Sequence, residues 1–118
     1  MEENVGYRKL LVWQKADALA LLIYKITKEF PKSELFALTS QLRRAALSIP
    51  TNLVEGFARN NRNEFKRFVM IALGSLGEVK YLLSVATRLE YLKSTEYNQS
   101  LQLADEIGRL LWKFFKSF

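Results

Sequence analysis

The stretch QLRRAALSIPTNLVEGFARN, residues 41 to 60, decides the fold because it keeps the spacing of an amphipathic helix through a proline. Apolar residues recur at every third or fourth position on both sides of Pro50, which predicts one helical face. A proline in a helix interior removes a hydrogen-bond donor and costs about 3 kcal/mol unless the geometry adapts. We therefore predict a second helix that bends at Pro50. The freed backbone groups are expected to bind Ser48, Thr51 or Asn52. The predicted apolar stripe is Leu38, Leu42, Ala45, Ile49, Leu53 and Phe57.

The same period predicts three further helices on either side of this stretch. The first runs from about residue 12 to residue 29, the third from residue 61 to about residue 89, and the fourth follows residue 95. The breaks carry side chains that can cap a helix: Ser33 or Thr39 for the second, Asn61 with Glu64 for the third, and Ser94 or Thr95 for the fourth. The apolar stripes are Val12, Ala16, Leu19, Ile23, Ile26 and Phe30 in the first helix, Phe65, Phe68, Ala72, Leu76, Val79, Leu83 and Ala86 in the third, and Tyr97, Leu101, Ala104, Ile107, Leu111, Phe114 and Phe118 in the fourth.

Four helices joined by short connections predict an all-α fold, an antiparallel up-down-up-down four-helix bundle with a proline-bent second helix. The 118 residues form one domain, 1–118. If the second and third helices turn near Arg62, positions whose numbers sum to about 124 lie at one level. Pro50 then faces Gly74, and the glycines of the run from Gly74 to Gly77 allow a close backbone approach. The same register places Arg44 near Lys80 and within a turn of Glu78, with which it is expected to form an ion pair.

More apolar residues are present than one small bundle needs. Large side chains lie outside the main stripes: Trp13, Tyr24, Met70, Ile71, Leu73, Leu82, Trp112 and Phe115. Either the monomer is generously packed, or a homo-oligomer buries a second face. We favour the homo-oligomer.

The composition excludes several kinds of site. The chain has no cysteine and no histidine, so it lacks thiolate and imidazole groups for catalysis or metal binding. A helical di-metal site with Glu-x-x-His pairs is excluded as well. We predict no catalytic, cofactor-binding or metal-binding residues. The longest uncharged run, from Phe68 to Gly77, is about half as long as a membrane span. With no secretory signal pattern at the N-terminus, a cytoplasmic location is expected.

The net charge of +6 favours an anionic partner. Six cations and two acids lie between residues 43 and 67, a net charge of +4 in that segment. The predicted nucleic-acid-binding residues are Arg43, Arg44, Arg59, Arg62, Lys66 and Arg67. Contacts to phosphate, with structured RNA favoured, are one interpretation, and a merely solvated helix corner is the other. The alternative function is a protein-interaction scaffold or adaptor for a ribosomal or polymerase partner, anchored through the aromatic tail LLWKFFKSF.

Three segments resemble a known family: VWQKA, FPKSELFALTSQLRRAALSIPTNLVEG and EFKRFVMIALGSLGEV. They are similar to the four-helix-bundle proteins encoded in intervening sequences of bacterial 23S ribosomal RNA genes, and more distantly to the accessory variability protein of diversity-generating retroelements. The resemblance implies a cytoplasmic bacterial protein, a homopentameric ring and no known catalytic activity. Ala37 departs from the glycine that relatives often carry. The family pattern, which marks the fold and its interface, matches at Gln41, Arg43, Arg44, Ser48, Pro50, Asn52, Glu55, Gly56, Gly74, Ser75 and Glu78.

Overall fold

Four α-helices follow one another in the computed structural model, which describes residues 2–117. This confirms the all-α four-helix prediction. A 3-10 segment, Glu2–Lys9, precedes the first helix, and a short 3-10 turn, Lys32–Glu34, precedes the second. Phe118, predicted to end the fourth stripe, lies outside the described residues. The helices are α1 Leu11–Thr27, α2 Leu38–Ala58, α3 Arg62–Arg88 and α4 Ser94–Lys116.

The helices form a square in which each contacts its neighbours along the chain, and α1 also contacts α4. The contact between α2 and α3 is the most extensive. Its register is visible in the hydrogen bond between the side chains of Ser48 and Ser75, whose oxygens are 2.7 Å apart. These two residue numbers sum to one less than the predicted 124, so the predicted hairpin register is confirmed.

The predicted stripes of α1, α2 and α3 form most of the core, with one exception in α2. Phe57 remains 37% exposed, while its neighbour Gly56 is buried. A Cβ atom on Gly56 would lie 2.8 Å from both Cδ1 of Phe65 and Cβ of Phe68. The chain therefore turns Gly56 toward α3, and Phe57 packs its ring edge-on against Phe65 from outside.

The close approach predicted for the glycines of α3 is wrong. A Cβ atom on Gly74 or on Gly77 would meet nothing within 4 Å. Glycine inside a helix allows close packing but does not require it. The tight contact between α2 and α3 is made by Gly56 instead.

Pro50 lies in the middle of α2 without interrupting it. The helix is continuous from Leu38 to Ala58, and Pro50 itself is buried. The Asn52 amide donates to the Ser48 carbonyl at 2.7 Å. The carbonyl that loses its helical donor to Pro50 is that of Ala46, so the predicted side-chain partner of the freed group stays a prediction. The bend itself stays a prediction.

Of the predicted caps, only that of α3 is confirmed. Asn61 accepts a hydrogen bond from the backbone N–H of Glu64 at 2.9 Å. At the start of α2 the N-cap residue is Ala37, and Thr39 is buried inside the helix, so the cap predicted at Ser33 or Thr39 is wrong. The carboxylate of Glu34 accepts from the backbone N–H of Leu38 at 3.3 Å instead. The cap predicted at Ser94 or Thr95 is also wrong. There the Glu96 carboxylate accepts from the backbone N–H of Lys93 at 3.1 Å.

Helix α3 is long and apolar enough to cross a membrane by length and composition alone. The sequence analysis did not indicate a membrane span here, because it considered only the uncharged run, which ends before Glu78. The indication is weak because core helices of soluble proteins pass the same criterion. In this bundle α3 packs against both α2 and α4.

Ser100 offers a prediction about stability. Its side chain is fully buried, and its Oγ has no hydrogen-bond partner among residues 2–117. Because an unsatisfied buried hydroxyl is unfavourable, we expect Ser100→Ala to raise the free energy of unfolding by about 1 kcal/mol. Urea denaturation measures the change, and Ser84→Ala on half-buried Ser84 controls for helix propensity. A loss of stability in Ser100→Ala would contradict the prediction.

Candidate nucleic-acid interface

Four of the predicted cations gather where α2 ends and α3 begins. We call this surface the basic corner: Arg59, Arg62, Lys66 and Arg67. The turn is tight because Asn60 adopts a left-handed conformation with φ of 50°, which asparagine tolerates better than most residues. Asn61 then caps α3. The connection therefore brings cations from two helices to one end of the bundle.

Two guanidinium groups of the basic corner lie against one buried ring. The central carbon of the Arg67 guanidinium is 4.5 Å from the Phe68 ring centroid, and that of Arg59 is 5.2 Å away. Both distances are within the range of a cation–π interaction. Phe68 is only 5% exposed, and the two guanidinium groups are part of what covers its ring, so the ring and the two cations hold one another in place.

Carboxylates partly neutralise the same two arginines. Arg67 Nη2 is 3.2 Å from Glu64 Oε1, and Arg59 Nη2 is 3.9 Å from Glu55 Oε1. The hydrogen bond from Arg67, and then its charge, lower the pKa of Glu64, while Glu64 raises the pKa of Arg67. Both members of this pair are therefore charged at neutral pH. All four side chains are at least 40% exposed, so water screens these pairs and a phosphate can compete for the cations.

The other two cations are less neutralised. Arg62 is exposed, and no acidic residue in the described chain forms an ion pair with it. Lys66 places its Nζ 4.6 Å from the centroid of the Phe115 ring, which belongs to α4. The basic corner therefore extends from the α2–α3 turn to the C-terminal part of α4.

Arg43 and Arg44 do not join this surface. Sixteen residues of helix separate Arg43 from Arg59, about 24 Å at 1.5 Å per residue. Arg43 donates from Nε to the Thr27 hydroxyl at 2.8 Å and stacks on Tyr24 at 4.8 Å, so it connects α2 to α1. The six predicted cations therefore occupy two separate regions.

The family-pattern residues mark the contact between α2 and α3. Gln41 donates to the Glu78 carboxylate at 3.4 Å, and Ser48 bonds Ser75. The predicted ion pair between Arg44 and Glu78 is wrong: across the described chain, Glu78 is bonded to Gln41, and Arg44 only lines the same polar cleft. Gln41 and Ser48 are seven residues apart and share the face of α2 that contacts α3, so the Gln41 amide can reach Glu78.

A second basic surface includes Lys113 and Lys116 of the aromatic tail, which the sequence reasoning did not join to Arg109 or to a groove. Arg109, Lys113 and Lys116 recur at spacings of four and three along α4, the signal of one helical face. They line an open groove between α3 and α4, here called the α3–α4 groove, together with Trp112.

Within residues 2–117, no group of three or more acidic side chains is placed to hold a metal ion.

The square bundle and its basic corner define a small helical protein with a cationic end. A family model described as 23S rRNA-intervening sequence protein matches residues 8–113. The chain belongs to that family. A crystal structure from Bacteroides thetaiotaomicron, described as a protein with unknown function from the S23 ribosomal protein family, is 27% identical and superposes with a TM-score of 0.82. The match covers 98% of this chain and 99% of that one. No curated protein sequence matches the chain.

Proposed function

We propose that this protein is a cytoplasmic, non-enzymatic, homo-oligomeric bundle that binds nucleic acid, with structured RNA favoured, through contacts to phosphate. The observation that supports the proposal is the basic corner, where four cations from two helices lie at one end of the bundle. Arg67 and Arg59 rest on the buried ring of Phe68, and Arg62 is exposed. Guanidinium groups held in this way suit the planar recognition of phosphate.

The homo-oligomer is supported by apolar side chains that one bundle leaves exposed. Leu47 on α2 and Met70 and Ile71 on α3 are each at least 40% exposed. A pentameric ring, which the family resemblance implies, would bury this outer α2–α3 face and repeat the basic corner around an axis. Repetition would multiply the phosphate contacts of one RNA and raise its apparent affinity.

Salt-dependent binding tests the phosphate contacts. Fluorescence anisotropy with a labelled RNA hairpin, between about 50 and 200 mM salt, gives affinity and its salt slope. We expect tight binding that weakens steeply with salt. Replacement of all four corner cations by glutamine is expected to weaken binding at least about tenfold at low salt. It should also flatten the slope by roughly 0.9 for each phosphate that the variant no longer neutralises.

The matched control removes the same charge from the opposite end of the bundle. Lys25, Lys28, Lys32 and Lys93 are exposed there, and their replacement by glutamine should change the affinity far less than the corner variant does. Equal binding by wild type and the corner variant would overturn the proposed interface. If wild-type protein binds no RNA even at low salt, nucleic-acid binding is wrong and the scaffold function takes its place.

A further inference from the structure

The α3–α4 groove is open, about 1050 Å³ in volume, and lies beside the basic corner. Its cationic side chains come mainly from α4. Arg109, Lys113 and Lys116 line it, and none of the three forms an ion pair with an acidic residue of the described chain. Lys80 is already neutralised by Asp105, with Nζ 2.6 Å from Oδ1. The groove therefore carries uncompensated positive charge along one wall.

An exposed tryptophan stands among these cations. Trp112 is 49% exposed, and its ring packs nearly perpendicular to that of Phe115, with centroids 5.6 Å apart. This contact orients the indole without covering it. A partly exposed aromatic ring surrounded by cations has the features of a base-stacking platform in proteins that bind single-stranded nucleic acid.

The two glycines that line the groove have different roles. A Cβ atom on Gly77 would meet nothing within 4 Å, so any side chain placed there would extend into free space that the groove now offers. On the facing helix, a Cβ atom on Gly108 would come within 3.3 Å of a Leu76 methyl group. Gly108 therefore allows α4 to pack closely against Leu76, and only the absence of a side chain at Gly77 leaves room in the groove for a flat ligand.

The groove leads to the basic corner. Lys66 of the corner stacks on Phe115, and Phe115 contacts Trp112. A chain of phosphates that follows Arg109, Lys113 and Lys116 along α4 therefore reaches the corner cations without crossing an acidic surface. A duplex has its bases paired inside and presents no ring to Trp112, whereas a single strand does.

We propose that the α3–α4 groove binds a single-stranded segment of nucleic acid, with one base stacked on Trp112 and the adjoining phosphates bound by Arg109, Lys113 and Lys116. The proposal rests on the proposed function and extends it from phosphate contacts to the recognition of unpaired bases. The cations on the wall favour a polyanion over an apolar peptide as the occupant. In a structured RNA, the corner would bind the paired stem and the groove an adjoining loop.

Tryptophan fluorescence tests the stacking directly. The chain has two tryptophans, so in a Trp13→Phe background the fluorescence comes from Trp112 alone. We expect a twelve-nucleotide oligothymidylate to quench this fluorescence and an abasic oligonucleotide of the same length and charge to leave it nearly unchanged. Quenching by anionic lipid vesicles but not by the oligonucleotide would overturn the proposal and indicate a lipid surface.

Variants measured by anisotropy give the second readout. We expect Trp112→Leu to weaken oligothymidylate binding about tenfold, as loss of one stacked base does. Gly77→Leu should have a similar effect by filling the groove. Tyr81→Leu removes an aromatic ring that is 63% exposed outside the groove, and it is expected to bind as wild type does.

The results separate this proposal from the proposed function. If the corner variant loses hairpin binding while Trp112→Leu and Gly77→Leu bind oligothymidylate normally, the groove assignment is wrong and the phosphate contacts of the corner stand. If wild-type protein binds neither hairpin nor oligothymidylate, both proposals are wrong. Unchanged stability of the groove variants in urea denaturation excludes loss of folding as the cause of weaker binding.

Discussion

Gly56→Ala is expected to lower the free energy of unfolding by about 1–3 kcal/mol, the usual effect of overpacking a tight contact. Helix propensity alone predicts the opposite, since alanine is favoured over glycine by about 1 kcal/mol in a helix interior. We expect the packing effect to outweigh helix propensity, so the free energy of unfolding falls. The added methyl would lie 2.8 Å from Cβ of Phe68. That atom is bonded to the α3 backbone, so α2 and α3 must move apart to admit the methyl.

Urea denaturation of the wild type and three variants measures this effect. Gly74→Ala and Gly77→Ala make the same substitution in α3, where the new methyl meets open space. Both are expected to stabilise the protein by up to about 1 kcal/mol. A Gly56→Ala variant as stable as these two would show that α2 and α3 do not pack at the distance described.

Introduction of charge on the outer α2–α3 face is expected to dissociate the proposed oligomer. Leu47 and Ile71 are exposed on that face, and the double substitution Leu47→Glu, Ile71→Glu would bury two carboxylates in each copy of an interface. An unpaired buried charge is strongly unfavourable. Multi-angle light scattering at tens of micromolar should therefore show an oligomer for wild type and a monomer for the variant.

The control places the same charges elsewhere. Leu21 on α1 is 64% exposed and Leu89 follows α3 at the opposite end of the bundle from the corner, so Leu21→Glu, Leu89→Glu should leave the oligomer intact. A wild-type monomer at tens of micromolar would overturn the oligomer itself. Dissociation by the control pair but not by the first pair would place the interface on another face.

The helices could be predicted because their apolar residues repeat with the helical period, and periodicity depends on sequence alone. The stripe of α1 and the register of Ser48 against Ser75 followed from it. Periodicity cannot show whether a glycine lies at a close helix contact or at an open surface, since a residue without a side chain occurs in both places. Gly74 and Gly56 were therefore not distinguished until the position of Phe68 was known.

The candidate site was predictable only as a charge cluster. A count of charged residues along the sequence grouped Arg43 with Arg59, because such a count ignores the length of helix that separates the two side chains. The partner of Glu78 was missed for a related reason, since Gln41 and Arg44 lie one turn apart and either can reach the carboxylate. The groove on α4 was missed because it needs two helices, and only the fold brings Gly77 and Trp112 into one groove.

The buried ring beneath the basic corner also has an entropic consequence. Arg67 and Arg59 lie 4.5 and 5.2 Å from the Phe68 centroid before any ligand arrives. A free arginine side chain has about 2 kcal/mol of rotamer entropy to lose, and here part of that loss has already occurred on folding. A phosphate bound at the corner would therefore meet a preorganised receptor, and lysine at either position would keep the charge without this ordering.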